Sequence, residues 1–177
     1  MLSYAVLFDL DGTLTDPKPG ITRCIQYALS ELGHPPPNAD ELHWCIGPPL
    51  KGSFSQLLKT SNDRVIEQAL SLYRRRYSTI GLFENSLYPE ITATLKTIRS
   101  AGYKTFVATS KPHIYATRIL EHFNILSLFD GVYGSTTFSF YQTEVLGSLV
   151  QKYFKFLISF TFIYFPGVGK YKLTLGV

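Results

Sequence analysis

Two short constellations in this 177-residue chain could do chemistry together: Asp9 and Asp11 beside Gly12, and Thr109 followed by Ser110 and Lys111. Carboxylates two residues apart on an extended segment point roughly the same way. Gly12 lets the chain turn sharply there, and its amide is expected to be free for an anion. Paired carboxylates beside a phosphate cradle suggest a magnesium-assisted phosphoryl transfer. A hydroxyl at a strand end, Thr109, followed by helix N-terminal amides, is an oxyanion site. Taken alone, Asp-Gly is also a hairpin signal and Thr-Ser an N-cap. Their spacing of 100 residues across a helical insertion favours the site.

The elements that must position these residues are legible. After Tyr4, the apolar run Ala5-Val6-Leu7-Phe8 reads as a fully buried strand, and it delivers Asp9 to its C-terminal end. Open α/β sheets bind their ligands there. Pro17-Lys18-Pro19-Gly20 reads as a break, followed by a helix over 21–32 that Gly33 and Pro35-Pro36-Pro37 end. More helices are expected over 39–45, 53–58 and 63–77, with Gly47-Pro48-Pro49-Leu50 as a stiff loop. Residues 16–82 thus form an all-helical insertion. The core resumes near Leu87-Tyr88-Pro89 with a helix over 90–101, a buried strand over 105–108, a helix over 113–123 and a third strand leading to Ser135.

Composition narrows the function. The formal charge of +4 arises mostly late: residues 1–130 hold 13 basic and 12 acidic side chains, residues 131–177 hold 4 and 1. Without a dense Lys/Arg cluster, no nucleic-acid partner is expected. Cys24 and Cys45 form no CxxC pair and read as buried thiols of a reducing compartment. Met1 leads almost directly into the first strand, which leaves no room for a signal peptide, so a cytoplasmic protein without membrane partners is expected.

The heptapeptide Asp9-Leu10-Asp11-Gly12-Thr13-Leu14-Thr15 closely resembles the first motif of the haloacid dehalogenase superfamily. Thr109-Ser110-Lys111 resembles its second motif, and the turn and strand from Ile125 to Ser135 resemble the next part. The resemblance implies a Rossmann-like α/β core with a parallel sheet, residues 1–15 and 83–177, carrying a helical cap over 16–82. It implies that Asp9 is the nucleophile and Asp11 the general acid and base. Mg2+ would be held by the Asp9 carboxylate and the Asp11 backbone carbonyl, and the phosphoryl oxygens by the Gly12 amide, Thr109, the Ser110 amide and Lys111. An acid at Asp11 favours a phosphatase or phosphomutase over a dehalogenase, because a halide needs no proton.

The insertion resembles a C1-type cap, and Gly47-Pro48-Pro49-Leu50 the cap loop of the phosphoglycolate phosphatase-like branch. Lys51, Arg74, Arg75 and Arg76 are candidate ligands of an anionic leaving group, although three consecutive arginines on a helix face different ways and most are expected to be solvated. Tyr73 and Tyr77 are expected to pack as an i, i+4 pair. The implied function is a Mg2+-dependent phosphatase of a small phosphorylated metabolite, phosphoglycolate phosphatase- or nucleotidase-like, working through an aspartyl-phosphate. The alternatives are a catalytically impaired relative that at most binds, and a β-phosphoglucomutase-like phosphomutase.

Beyond Ser135 the sequence departs from that family. Members supply a lysine soon after the third strand, yet residues 136–150 contain none, and Lys152 and Lys155 come late. Members then supply a strand ending in metal-binding aspartates, yet no acidic residue follows Glu144. Residues 136–177 are therefore expected to be an atypical ending, with the C-terminal βα units altered or missing. Of 26 aromatic residues 12 lie in positions 131–177. The aromatic run over 153–165 has an apolar core too short for a membrane span of about 20 residues. It reads either as the missing strand in altered form or as an aggregation-prone segment.

Overall fold

In the computed structural model, which describes residues 5–135 and the backbone of Phe160–Phe162, the first apolar run is strand β1, Ala5–Phe8, buried along its whole length. The chain then winds around a single carbonyl. The Leu10 oxygen accepts the amides of Leu14 at 2.9 Å, Thr15 at 3.0 Å and Thr13 at 3.3 Å, while Leu10 and Leu14 are fully buried. Gly12 sits at φ +79°, a left-handed conformation that an L side chain resists. A short strand β2, Thr15–Asp16, follows. The chain divides into two compact units, Met1–Asp16 with Leu87–Val177, and Pro17–Ser86.

The Pro17–Ser86 unit is helical. Helix α1, Lys18–Glu31, begins three residues before the expected start at 21. Pro19 does not break it, because a first-turn residue has no intrahelical acceptor for an N–H and proline lacks only that donor. Ile21, Cys24, Ile25, Ala28 and Leu29 form its buried stripe. Residues Ala39–Cys45 are a 3-10 helix, and α2, Leu50–Leu57, again starts earlier than expected. Helix α3, Asp63–Arg76, opens with the Asn62 side chain accepting the Arg64 amide at 3.0 Å, an N-cap. It passes into one π-turn, Tyr77–Gly81. Tyr73 and Tyr77 pack as expected, their rings stacked at 5.4 Å and 11°.

Helix α2 ends in a Schellman motif. The Thr60 amide bonds the Ser55 carbonyl at 3.1 Å and the Lys59 amide bonds the Gln56 carbonyl at 3.2 Å, with Lys59 at φ +50°. Lysine pays a steric penalty there that glycine escapes. Lys59→Gly is expected to stabilise the protein by about 0.5–1 kcal/mol, measured as a higher urea midpoint; a lower midpoint would contradict the motif.

The core resumes with β3, Ser86–Leu87, and α4, Ile91–Ser100. Strand β4 runs over Lys104–Pro112, longer than the expected 105–108, and leads directly into α5, His113–His122. Strand β5, Gly131–Ser135, and strand β6, Phe160–Phe162, complete a parallel sheet in the order β5-β4-β1-β6. Chain order reverses beside β1, which makes its carboxyl end the topological switch point of the sheet. Phe160 lies opposite Ala5, so part of the aromatic run does serve as a strand beside β1. The other expectations for residues 136–177, including Lys152 and Lys155, lie outside the described residues.

Candidate active site

The sheet register assembles the site. Phe8 lies opposite Val107, so Asp9 leaves β1 level with Ala108 and next to Thr109. The pairing of β4 with β5 is regular to Ala108 and resumes at Pro112, so Thr109, Ser110 and Lys111 form an irregular stretch between. Such bulges re-aim side chains beside active sites. The Lys111 amide donates to Thr109 Oγ1 at 3.3 Å, and the Thr109 hydroxyl bonds the Asp9 carboxylate. Asp9 Oδ1 also accepts the Leu10 amide at 2.7 Å.

Burial pushes the Asp9 carboxyl up to about 6; the Leu10 amide and the Thr109 hydroxyl oppose this, the Asp11 charge adds to it, and Lys111 offsets it. Lys111, itself buried, places its Nζ 2.8 Å from Asp11 Oδ2. Asp11 Oδ1 is buried and has no hydrogen-bond partner among the described residues.

Asp9, Asp11, Thr109 and Lys111 therefore meet, while two details differ from expectation. The Gly12 amide is not free for an anion: it donates to the Thr15 carbonyl at 2.8 Å and closes the turn. The amides after Thr109 belong to the β4 irregularity, not to a helix N-terminus, because α5 begins only at His113. Ser110 lies there, exposed. Tyr88 is a neighbour that the sequence motifs do not mark; burial raises its phenol, and the charges of Asp16 and Asp11 raise it further. Only its place at the chain's return to the core could have drawn attention to it.

Within the helical unit the candidate leaving-group ligands all have acidic partners. Lys51 pairs with Asp63 at 2.9 Å, Arg74 with Glu67 at 3.8 Å, and Arg75 with Glu31 at 3.8 Å and the Tyr27 hydroxyl at 2.7 Å. Arg74 and Arg75 are exposed, as expected for a run on a helix. Arg76 is largely buried and grips Glu84 at 2.6 and 3.1 Å.

The described residues hold no group of three acidic, histidine or cysteine side chains suited to a metal. Mg2+ nevertheless binds commonly through one or two carboxylates, with water and substrate phosphate completing its shell. The donors fit that pattern at Asp9, a carboxylate whose ionisation burial penalises. A hard cation would relieve that cost.

Comparison with known proteins agrees with this geometry. Residues 6–155 match the family model described as haloacid dehalogenase-like hydrolase. The match extends past Ser135, where the expected lysine and aspartates are missing. The chain is 43% identical over 130 residues to a 5'-nucleotidase of Pseudomonas aeruginosa, covering 73% of this chain and 58% of that one. It is 32% identical over 133 residues to a phosphoglycolate phosphatase of Aquifex aeolicus, covering 75% and 61%. Protein Tyrosine Kinase A of Mycobacterium tuberculosis is 39% identical over 132 residues, 75% of this chain and 44% of that one. Its solved structure superposes with a TM-score of 0.76, covering 89% of this chain and 73% of that chain. The chain spans less than two thirds of the length of each of these three curated relatives.

Proposed function

From the premise that the chain belongs to the haloacid dehalogenase-like hydrolases, established by the match over residues 6–155, we propose that it is a Mg2+-dependent phosphatase of small phosphomonoesters. The observation that carries this reading is the set in which the buried Thr109 and Lys111 hold Asp9 and Asp11 respectively. In the proposed reaction Asp9 attacks phosphorus and becomes an aspartyl-phosphate. Asp11 protonates the departing oxygen. Asp11 then takes a proton from water, which attacks the phosphorus, releases inorganic phosphate and restores the Asp9 carboxylate. Ser110, exposed in the β4 irregularity, would meet the equatorial oxygens through its amide, and Thr109 through its hydroxyl once that bond turns from Asp9 to the phosphoryl group. Held by the Asp9 carboxylate and the Asp11 backbone carbonyl, Mg2+ would neutralise phosphoryl charge that would otherwise repel a carboxylate nucleophile.

The names of the relatives direct the choice of substrate. A 5'-nucleotidase and a phosphoglycolate phosphatase both cleave phosphomonoesters, whereas the tyrosine kinase name denotes a different acceptor for the same group. Nucleoside monophosphates and phosphoglycolate are the first candidates. A cytoplasmic setting belongs to the same proposal, supported by two buried free cysteines. Among the described residues no helix is long and apolar enough to cross a membrane.

Phosphate release from such a panel is expected to need Mg2+, to stop on chelation and to return on re-addition. Thr109→Ala is expected to lower kcat by about 10–10². Folded protein that binds inorganic phosphate yet turns over nothing would instead support the binding-only reading, which the missing acids after Glu144 favour. Return of the phosphoryl group to a sugar phosphate would identify a phosphomutase.

A further inference from the structure

The irregular stretch that carries Thr109, Ser110 and Lys111 has a single counterpart on the neighbouring strand. Ala108 lies opposite Tyr133 and Pro112 opposite Ser135, so three residues of β4 stand where β5 has only Gly134. The stretch packs on that glycine with its main chain. A β-carbon on Gly134 would lie 2.5 Å from the Lys111 carbonyl oxygen and 2.6 Å from both the amide nitrogen and the α-carbon of His113, all backbone atoms. Gly134 lacks the positive φ that would itself call for glycine, so what the position requires is space. The Lys111 amide donates to Thr109 Oγ1 at 3.3 Å, which ties the crowded end of the stretch to the hydroxyl that bonds Asp9.

We propose that Gly134 is a positioning residue for the phosphoryl-binding stretch: the side chain it lacks lets the main chain of Lys111 and His113 settle against β5, and that seat sets where Thr109 and the Ser110 amide are presented. An irregular strand re-aims a side chain only as well as its backbone is held. Among the described residues β5 pairs only with β4, so an added β-carbon parts β5 from the stretch and leaves the pairing of β4 with β1 in place. The fold survives, and the presentation of Thr109 shifts. A displacement of about 1 Å at reacting groups costs on the order of 10²-fold in rate. The inference rests on the phosphatase reading for its effect on rate, and on the binding of phosphate alone for its effect on affinity.

The test measures kcat and the affinity for inorganic phosphate, well below each Tm, for the parent, Gly134→Ala, Gly131→Ala, Thr109→Ala and the double variant Thr109→Ala/Gly134→Ala. Gly134→Ala is expected to lower kcat by about 10²-fold. It is expected to weaken phosphate about tenfold, the worth of one hydrogen bond to a charged group. Gly131→Ala is the control on the same strand, because its β-carbon would meet side-chain atoms of Tyr133 and Phe106, the nearest at 2.9 Å, which can rotate away. That variant is expected to leave both readouts unchanged, whatever it does to Tm. Since Gly134 acts through the stretch that holds Thr109, the double variant is expected to lose far less than the product of the two single losses. Losses that multiply, or a Gly134→Ala protein with unaltered kcat and phosphate affinity, overturn the proposal. So does a Gly134→Ala protein that fails to fold, since the contact is then structural. A parent that binds phosphate but turns over no ester overturns the phosphatase reading alone, and the phosphate affinities still decide the role of Gly134. A folded parent that does neither overturns both.

Discussion

Asp9→Asn is expected to lower turnover by about 10⁴-fold or more and, at neutral pH, to make the metal-free protein more stable than the parent. The first effect follows from removing the nucleophile, for which an amide is no substitute. The second follows from where Asp9 sits. Its ordinary value of 3.8 is raised to about 6, burial being the largest cause. The folded state therefore binds this proton more tightly than the unfolded state. Stability contributed by Asp9 is fully present below about 3.8 and is lost as pH rises through about 6.

Above that window the charged carboxylate costs the fold up to about 3 kcal/mol, since each tenfold change in proton affinity is worth about 1.36 kcal/mol. Asparagine is nearly isosteric and carries no charge to bury. Urea unfolding of both proteins at pH 5 and pH 7.5 should show the stability advantage of the variant growing with pH. Mg2+ should shrink it at pH 7.5, because only the parent has the Asp9 carboxylate to offer the metal. A variant less stable at both pH values, or an advantage indifferent to pH, would remove the claim that Asp9 is held at a cost in stability.

The second large effect concerns the helical unit and needs no assay of activity. A β-carbon on Gly20 would collide with the Gly81 carbonyl oxygen and lie 2.9 Å from the Glu84 carbonyl oxygen, both backbone atoms. Helix α1 and the π-turn Tyr77–Gly81 approach each other there as closely as two backbones can. Gly20→Ala is therefore expected to cost about 3 kcal/mol, because segments of main chain must separate and no side chain can swing away. Gly52→Ala supplies the contrast. Gly52 lies exposed in α2, and nothing lies within 4 Å of the β-carbon it would gain. That substitution is expected to stabilise by about 0.5–1 kcal/mol, the helix preference for alanine. Opposite shifts in Tm for two Gly→Ala changes in one protein would confirm the close approach. Equal shifts would show that α1 and the π-turn do not touch.

Much of this architecture is written locally in the sequence. The Ala5–Phe8 run reads as a buried strand, and the apolar spacing along α1 and α3 as amphipathic helix, because those patterns depend on neighbours a few residues away. Tertiary structure decided the rest. Whether Pro19 broke α1 depended on whether its missing N–H would have had an acceptor. Whether the Gly12 amide stayed free depended on the return of the chain to the Thr15 carbonyl. Asp9 carries its raised pKa because of how deeply the sheet buries it, and Lys111 chose Asp11 because β4 lies beside β1. Hydrogen-bond partners, burial and charge pairing across 100 residues of sequence are properties of the assembled core, and no local pattern records them.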